Sequence, residues 1–334
     1  MDPFYRDILK RAWLVVRKFP LLWIFGVFVA FLGNGGELQT LFNYIRRLNV
    51  TTELDYGWIS SLIVIWNKIH PTWSGITLAS LTLVIGLVIA GIFVWLIISS
   101  LGALIKGSWE ADNGTKINYW QLLAHGNKHF WPLFGLNIVA KAIVYGVLIL
   151  ILVPLITIAF SQGNMIFNFF IVFLAFILFI PLSIIISLVT KYASAEVVFK
   201  ESKFKEAFIN AWRLFSANWL ISVEMAIIVF VINTLAALVL VIIAALLISP
   251  FFLSAIVYNP ASASSFSSLV YLGISILLII SALFGALLAV FQTSVWTFLY
   301  FKIGGKEKVY SKMVRLAVQM LAKWQKRKAA KQLQ

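Results

Sequence analysis

Residues 225–250 read MAIIVFVINTLAALVLVIIAALLISP, and the chain carries no charged side chain from there to Phe301. A second uncharged segment runs from Ala142 to Thr190. Each segment is long enough for two membrane-spanning helices of about 20 residues joined by a turn. A water-soluble core does not accommodate uncharged runs of this length. The sequence therefore predicts an all-α, polytopic integral membrane protein.

Composition excludes several kinds of chemistry. Of the 334 residues, 62% are hydrophobic and 12% are charged. Cysteine is absent, which excludes disulfides, thiolate metal sites and thiol catalysis. The formal net charge of +15 would suggest nucleic-acid binding in a soluble protein. Here the basic residues collect on one side of the membrane, as the positive-inside rule requires, so we expect no nucleic-acid partner.

Hydropathy and charge together predict six spans. The N-terminal segment, the connections at 106–128 and 191–213, and the C-terminal tail are basic, whereas the segments between them are neutral or balanced. This alternation predicts a multi-pass protein of the cytoplasmic membrane with both termini in the cytoplasm. The predicted spans are residues 21–33, 77–105, 131–160, 165–190, 219–249 and 269–301.

The first of these spans is short. Residues 21–33 give about 20 Å of helix, whereas the hydrocarbon core is about 30 Å thick. The helix could extend back to Leu14, with Arg17 and Lys18 reaching the headgroups. It could also be re-entrant and end at the glycine-rich residues 33–36. A signal peptide is disfavoured because a similar lead-in precedes two later hairpins, where no signal could lie.

Three basic amphipathic stretches run straight into these hydrophobic segments. They cover residues 4–19, 119–129 and 204–215, and the hairpins that follow return at Lys106, Lys191 and Lys302. Apolar residues recur at helical spacing in each stretch, which suits a helix in the headgroup region. The sequence thus predicts one membrane domain, 1–334, built of three repeats of interfacial helix plus hairpin. Their bounds are 1–106, 115–191 and 202–302, followed by the tail 303–334.

The tail is basic and amphipathic. Its cations are candidate contacts to anionic lipid headgroups, each contributing on the order of 1 kcal/mol. The alternative is a topological anchor that reads no particular lipid. The candidates are Lys312, Arg315, Lys323, Lys326, Arg327 and Lys328.

Few polar groups lie within the predicted spans. Asn137, Lys141 and Glu224 form a candidate intramembrane site, since ionisable residues at membrane depth are functional candidates. Lys141 and Glu224 could also pair structurally, or each could reach the interface separately. His125 and His129 have a spacing that suits zinc, but no third ligand accompanies them on this helix. We therefore expect no metal, no cofactor and no catalytic residues.

Several short motifs resemble the membrane domain of glycerophosphoryl diester phosphodiesterases, a group that includes uncharacterised six-span families. They are FPLLW at 19–23, KYASAE at 191–196, FKEA at 204–207, AWR at 211–213 and WTFLY at 296–300. The likeness covers most of the chain. Where that domain is fused to a phosphodiesterase, a separate soluble barrel performs catalysis, so the resemblance implies no catalytic residues here.

These observations favour a non-enzymatic membrane module that organises lipids or partner proteins. The alternative is a small transporter or lipid translocator that uses the face of Asn137, Lys141 and Glu224. Three repeats in one orientation differ from the inverted pair that many transporters use. The absence of a clustered nucleophile, base or metal-ligand set disfavours a membrane-embedded enzyme.

Overall fold

The computed structural model describes residues 4–32, 73–160, 165–257 and 263–305, and within these ranges all regular structure is helical. The predicted all-α, polytopic membrane class is confirmed. In chain order the helices are α1 (Phe4–Lys18), α2 (Leu22–Ala30), α3 (Trp73–Asp112), α4 (Tyr119–Lys128), α5 (Phe130–Phe160), α6 (Met165–Lys200), α7 (Phe204–Ala217), α8 (Trp219–Val257) and α9 (Ala263–Gly304).

Five of these helices, α3, α5, α6, α8 and α9, are long and apolar enough to cross a membrane. They coincide with the second to sixth predicted spans, but α3 and α6 continue well beyond the predicted ends, to Asp112 and Lys200. The sequence prediction ended these two spans just before Lys106 and Lys191, the first charged residues after each hydrophobic run. A helix continues past that point because its backbone hydrogen bonds do not depend on hydropathy.

The first predicted span differs from the other five. Helix α2 has nine residues, so it measures about 14 Å and cannot cross a bilayer alone. Helices α1 and α2 meet at 110°, so the described residues contain five helices long and apolar enough to span a membrane, or six if this bent pair counts as one. The bend follows Pro20, which cannot donate a backbone hydrogen bond. A straight helix extending back to Leu14 is therefore wrong, and the glycine-rich residues 33–36 lie outside the described ranges.

The amphipathic helices α1, α4 and α7 are found where the sequence predicts them. Their apolar residues, however, pack on protein rather than only on lipid. Helix α1 buries Ile8, Ala12 and Val15, whereas α7 buries Ala207, Ala211 and Phe215. Phe208 and Trp212, which recur at helical spacing with these residues in the sequence, are exposed. The stripe is therefore divided between a face against the bundle and a face turned outward.

Most of the core lies at one end of the bundle. We call this the packed end: helices α1, α4 and α7 with residues 97–112 of α3, 188–200 of α6 and 290–303 of α9. There α1 packs against α9, α4 against α3, and α7 against α6, while α3, α6 and α9 touch one another. The equivalence of three repeats and the boundary of the tail stay predictions.

Candidate functional site

The predicted intramembrane site is distributed over two helices. Asn137 and Lys141 lie on α5, and Glu224 lies in the second turn of α8. The Asn137 side-chain amide donates to the Leu133 carbonyl oxygen at 2.8 Å, within its own helix. The carboxylate of Glu224 is buried and accepts a hydrogen bond from the Tyr5 hydroxyl, which joins α8 to α1. The pairing of Lys141 with Glu224 stays a prediction, as does transport along this face.

A second tyrosine binds the same part of α8. The Tyr192 hydroxyl lies 2.8 Å from the Ser222 hydroxyl oxygen, and Ser222 donates to the Asn218 carbonyl at 3.0 Å. Tyr192 and Ser222 are buried, so the bonds offset the cost of removing their hydroxyls from water. The start of α8 is thus held to α1 by Tyr5 and to α6 by Tyr192. No sequence pattern predicts either contact.

Glu196 forms the other buried carboxylate site. Its side chain is 3% exposed, accepts from Lys200 at 2.9 Å and accepts a hydrogen bond from the Tyr300 hydroxyl. The first bond lies within α6, and the second joins α6 to α9. The sequence marks Glu196 only as an acid that follows Lys191. Lys191 itself places its ammonium 4.6 Å from the centre of the Trp296 ring, a cation–π contact.

An open cavity of about 520 Å³ lies beside this carboxylate, at the packed end. Its walls come from the ends of α6, α7 and α9. The polar members supply two cations, an amide, a hydroxyl and a carboxylate, and the others are apolar or glycine. The lining residues are Glu196, Lys200, Asn210, Arg213, Leu214, Ala217, Tyr300, Phe301, Gly304 and Gly305.

An ion pair on the other side of the packed end holds α1 in place. Both Arg11 and Asp112 are partly buried, and the Arg11 guanidinium donates through two nitrogens to the two carboxylate oxygens, one of these bonds measuring 2.9 Å. The Arg11 guanidinium also lies 5.0 Å from the centre of the Phe298 ring. Forked pairs of this kind are stronger and more directional than single contacts. The contacts of Arg11 with Asp112 and Phe298 therefore hold α1 against α3 and α9.

The two histidines lie between α4 and α6. His125 Nε2 lies 3.3 Å from the Val198 carbonyl, and the ring centres of His125 and His129 are 4.6 Å apart. Burial lowers the pKa of His125, and the neighbouring His129 lowers it further. In the part of the chain that the structure describes, no group of three His, Asp or Glu side chains is placed to hold a metal. His125 therefore joins α4 to α6 through its contact with the Val198 carbonyl, whereas His129 Nδ1 lies 2.9 Å from the His125 carbonyl oxygen.

An exposed ion pair lies nearby. Lys128 approaches Glu201 to 2.6 Å, joining the end of α4 to the residue that follows α6. The hydrogen bond from Lys128 lowers the pKa of Glu201. Because both side chains are well exposed, this pair contributes little to stability.

The outward faces of the packed end carry tryptophans. Trp120 on α4 is 73% exposed and Trp212 on α7 is 50% exposed. Trp131 and Trp219 lie where the chain enters two of the predicted spans, a position typical of interface-anchoring aromatics, and both are exposed. Trp23 has the equivalent position in the first predicted span, but it donates its indole N–H to the Val16 carbonyl at 3.0 Å and so holds the bend between α1 and α2. The six predicted lipid contacts of the tail lie outside the described residues.

Comparison with known proteins identifies a family without a known activity. Residues 6–299 match the family described as Domain of unknown function (DUF7847), and the chain belongs to that family. No curated protein and no solved structure matches it.

Proposed function

We propose that this membrane protein is a non-enzymatic module that gathers anionic lipids around its packed end. The observation that carries the proposal is the two-sided character of α1, α4 and α7. One face of each helix is buried on the bundle, and the opposite face presents tryptophan together with lysine or arginine. This pattern is typical of helices that lie among lipid headgroups.

The outward faces combine two kinds of lipid contact. Trp13, Trp120 and Trp212 place amphipathic rings where headgroups meet acyl chains. The cations Lys10 and Arg17 on α1 and Lys205 on α7 are exposed. Each cation near an anionic surface contributes about 1 kcal/mol, so several together favour anionic over neutral lipid.

We further propose that the packed end faces the cytoplasm. The basic connections at 106–128 and 191–213 both lie at this end, and the positive-inside rule assigns them to the cytoplasmic side. The chain has no cysteine, so a single Thr115→Cys variant gives one labelling site in an exposed turn. A membrane-impermeant maleimide should label it in inside-out vesicles and not in spheroplasts. The reverse pattern would place this end outside.

The lipid proposal is tested on the purified chain. It is incubated with mixed micelles of phosphatidylglycerol and phosphatidylcholine in equal amounts, and bound lipids are counted by native mass spectrometry. We expect phosphatidylglycerol to be retained in excess, and the excess to fall in a Lys10→Gln, Arg17→Gln, Lys205→Gln variant. Equal retention of both lipids by the wild type would refute the proposal. A stoichiometric protein that copurifies in place of lipid would favour a module that organises partner proteins.

A further inference from the structure

We propose that the cavity between α6, α7 and α9 binds the phosphate of one anionic phospholipid. This inference rests on the proposed function and adds a defined site to it. The cavity lies at the packed end, beside the amphipathic helix α7 and the last residues of α9. Its volume of about 520 Å³ is within the range of small-ligand sites, about 300–1,000 Å³.

The charges in the cavity leave a cation available to an anion. Glu196 is the lining carboxylate, and Lys200 and Tyr300 already bind its two oxygens. Arg213 is exposed and makes no ion pair within the part of the chain that the structure describes. With Glu196 neutralised by Lys200, the lining residues carry one net positive charge, that of Arg213.

The donors in the cavity match phosphate chemistry. Arg213 offers a planar fork of N–H groups, which binds two phosphate oxygens at once. The Asn210 amide supplies a further N–H donor on the same helix, one turn before Arg213. The Tyr300 hydroxyl is not a donor to the ligand, because its proton is directed to Glu196. Arg213 is therefore the principal contact, and Asn210 supports it.

The apolar lining favours a lipid over a free phosphate. Leu214, Ala217 and Phe301 share the cavity with Arg213. A solute such as glycerol phosphate gains nothing from these side chains, whereas the glycerol and first acyl carbons of a phospholipid bury apolar surface against them. The ligand class that satisfies both parts of the lining is an anionic glycerophospholipid.

The experiment compares Arg213→Gln with Lys116→Gln in the full chain. Both residues are exposed cations, but Lys116 lies in the connection between α3 and α4 and does not line the cavity. The purified proteins are titrated with phosphatidylglycerol in detergent, and the affinity for the first bound lipid is measured by native mass spectrometry. We expect Arg213→Gln to weaken this affinity about tenfold or more, since it removes the charged, forked donor to the phosphate. Arg213→Lys should lose less, and Lys116→Gln should change the affinity by less than about twofold.

The possible outcomes distinguish the proposed cavity site from the general binding of anionic lipids at the packed end. Equal losses in the Gln variants would overturn the site and leave general lipid gathering intact. No preference for phosphatidylglycerol over phosphatidylcholine in the wild type would overturn both. Displacement of the lipid by glycerol 3-phosphate at equal concentration would show that the cavity binds a free phosphate, and so overturn the lipid assignment. An unchanged melting temperature in Arg213→Gln excludes misfolding as the cause of a loss.

Discussion

The packed end and the outer parts of the same helices differ in how closely the helices approach. We call residues 81–94 of α3, 173–184 of α6 and 272–283 of α9 the apolar arms. Leu87 in an arm is 65% exposed, whereas Leu104, farther along the same helix, is fully buried. Both residues are leucine, so the hydrophobicity of the side chain does not account for the difference. Lipid tails solvate leucine as well as a protein core does, and helices in a bilayer therefore need another reason to associate.

Small and polar residues supply that reason at the packed end. The Ser294 hydroxyl lies 2.9 Å from the Ser108 hydroxyl, joining α9 to α3. Gly102 and Gly126 lie against each other where α4 crosses α3. In the arms, Gly86 and Gly91 have no neighbour among the described residues within 4 Å of the position of a Cβ atom. The same residue type thus allows helix contact at one end and contacts none of the described helices at the other.

The largest expected effect comes from a methyl group at the helix crossing. In Gly126→Ala the new Cβ would collide with the Ser99 carbonyl oxygen and lie 2.8 Å from the Ala103 nitrogen, both backbone atoms. We expect a loss of about 3 kcal/mol or more, measured as a lower melting temperature in detergent. Gly86→Ala is the matched control, and alanine there should be neutral or slightly stabilising. Equal melting temperatures for the two variants would contradict the close approach of α3 and α4.

Truncating one leucine at each end of α3 tests the comparison directly. Leu104→Ala should leave a cavity in the packed end and cost about 2 kcal/mol or more. Leu87→Ala removes a side chain that touches surrounding lipid, so we expect a change within about 0.5 kcal/mol. Thermal unfolding of both variants in the same detergent measures how much more stability Leu104→Ala loses than Leu87→Ala. A large effect at Leu87 would mean that another protein surface covers the arm.

A double-mutant cycle tests whether Lys141 on α5 pairs with Glu224, the buried carboxylate on α8. If Lys141 and Glu224 pair, Lys141→Met and Glu224→Gln should each cost about 1–2 kcal/mol. The double variant should then recover part of that loss. Glutamine keeps an acceptor for the Tyr5 hydroxyl, so the cycle separates the pair from the contact to α1. Additive losses would show that the two residues act independently.

The smallest expected effect is a pH dependence at the contact of α4 with α6. Burial lowers the pKa of His125 in the folded protein, so the unfolded chain binds a proton more readily. The stabilisation is fully present above the ordinary histidine pKa of about 6.5 and decreases as the pH falls below it. The melting temperature should therefore fall between pH 7.5 and pH 5.5, and fall less in His125→Gln. An identical decrease in both proteins would assign the effect to other groups.

The sequence predicted where helices form better than it predicted how they pack. Uncharged runs and amphipathic stretches located α3 to α9, because hydropathy and helical periodicity are local properties. Pro20 is a local signal for the bend before α2, but the hydropathy of residues 21–33 and the similar lead-ins before two later hairpins favoured a span. The bond between Tyr5 and Glu224 joins residues 219 positions apart, and no local pattern specifies such a partner.

The candidate sites show the same limit. Asn137, Lys141 and Glu224 were predicted because charge and polarity are conspicuous inside a hydrophobic run. The cavity around Arg213 was not predicted, since its walls come from three helices and its carboxylate is bound by Tyr300, 104 positions away. The division of α7 into an inward face with Phe215 and an outward face with Trp212 likewise depends on where α6 lies.

The contact between α1 and α9 has a consequence for biosynthesis. Helix α1 leaves the ribosome before α9, the helix against which it packs, which is made roughly 300 residues later. At about 5–20 residues per second, that interval lasts about 15–60 s. During it the apolar face of α1, with Ile8, Ala12 and Val15, has no α9 to cover it. We expect this face to insert into the headgroup region of the membrane during that interval. Helix α1 would then exchange part of its lipid contact for α9 once α9 is made.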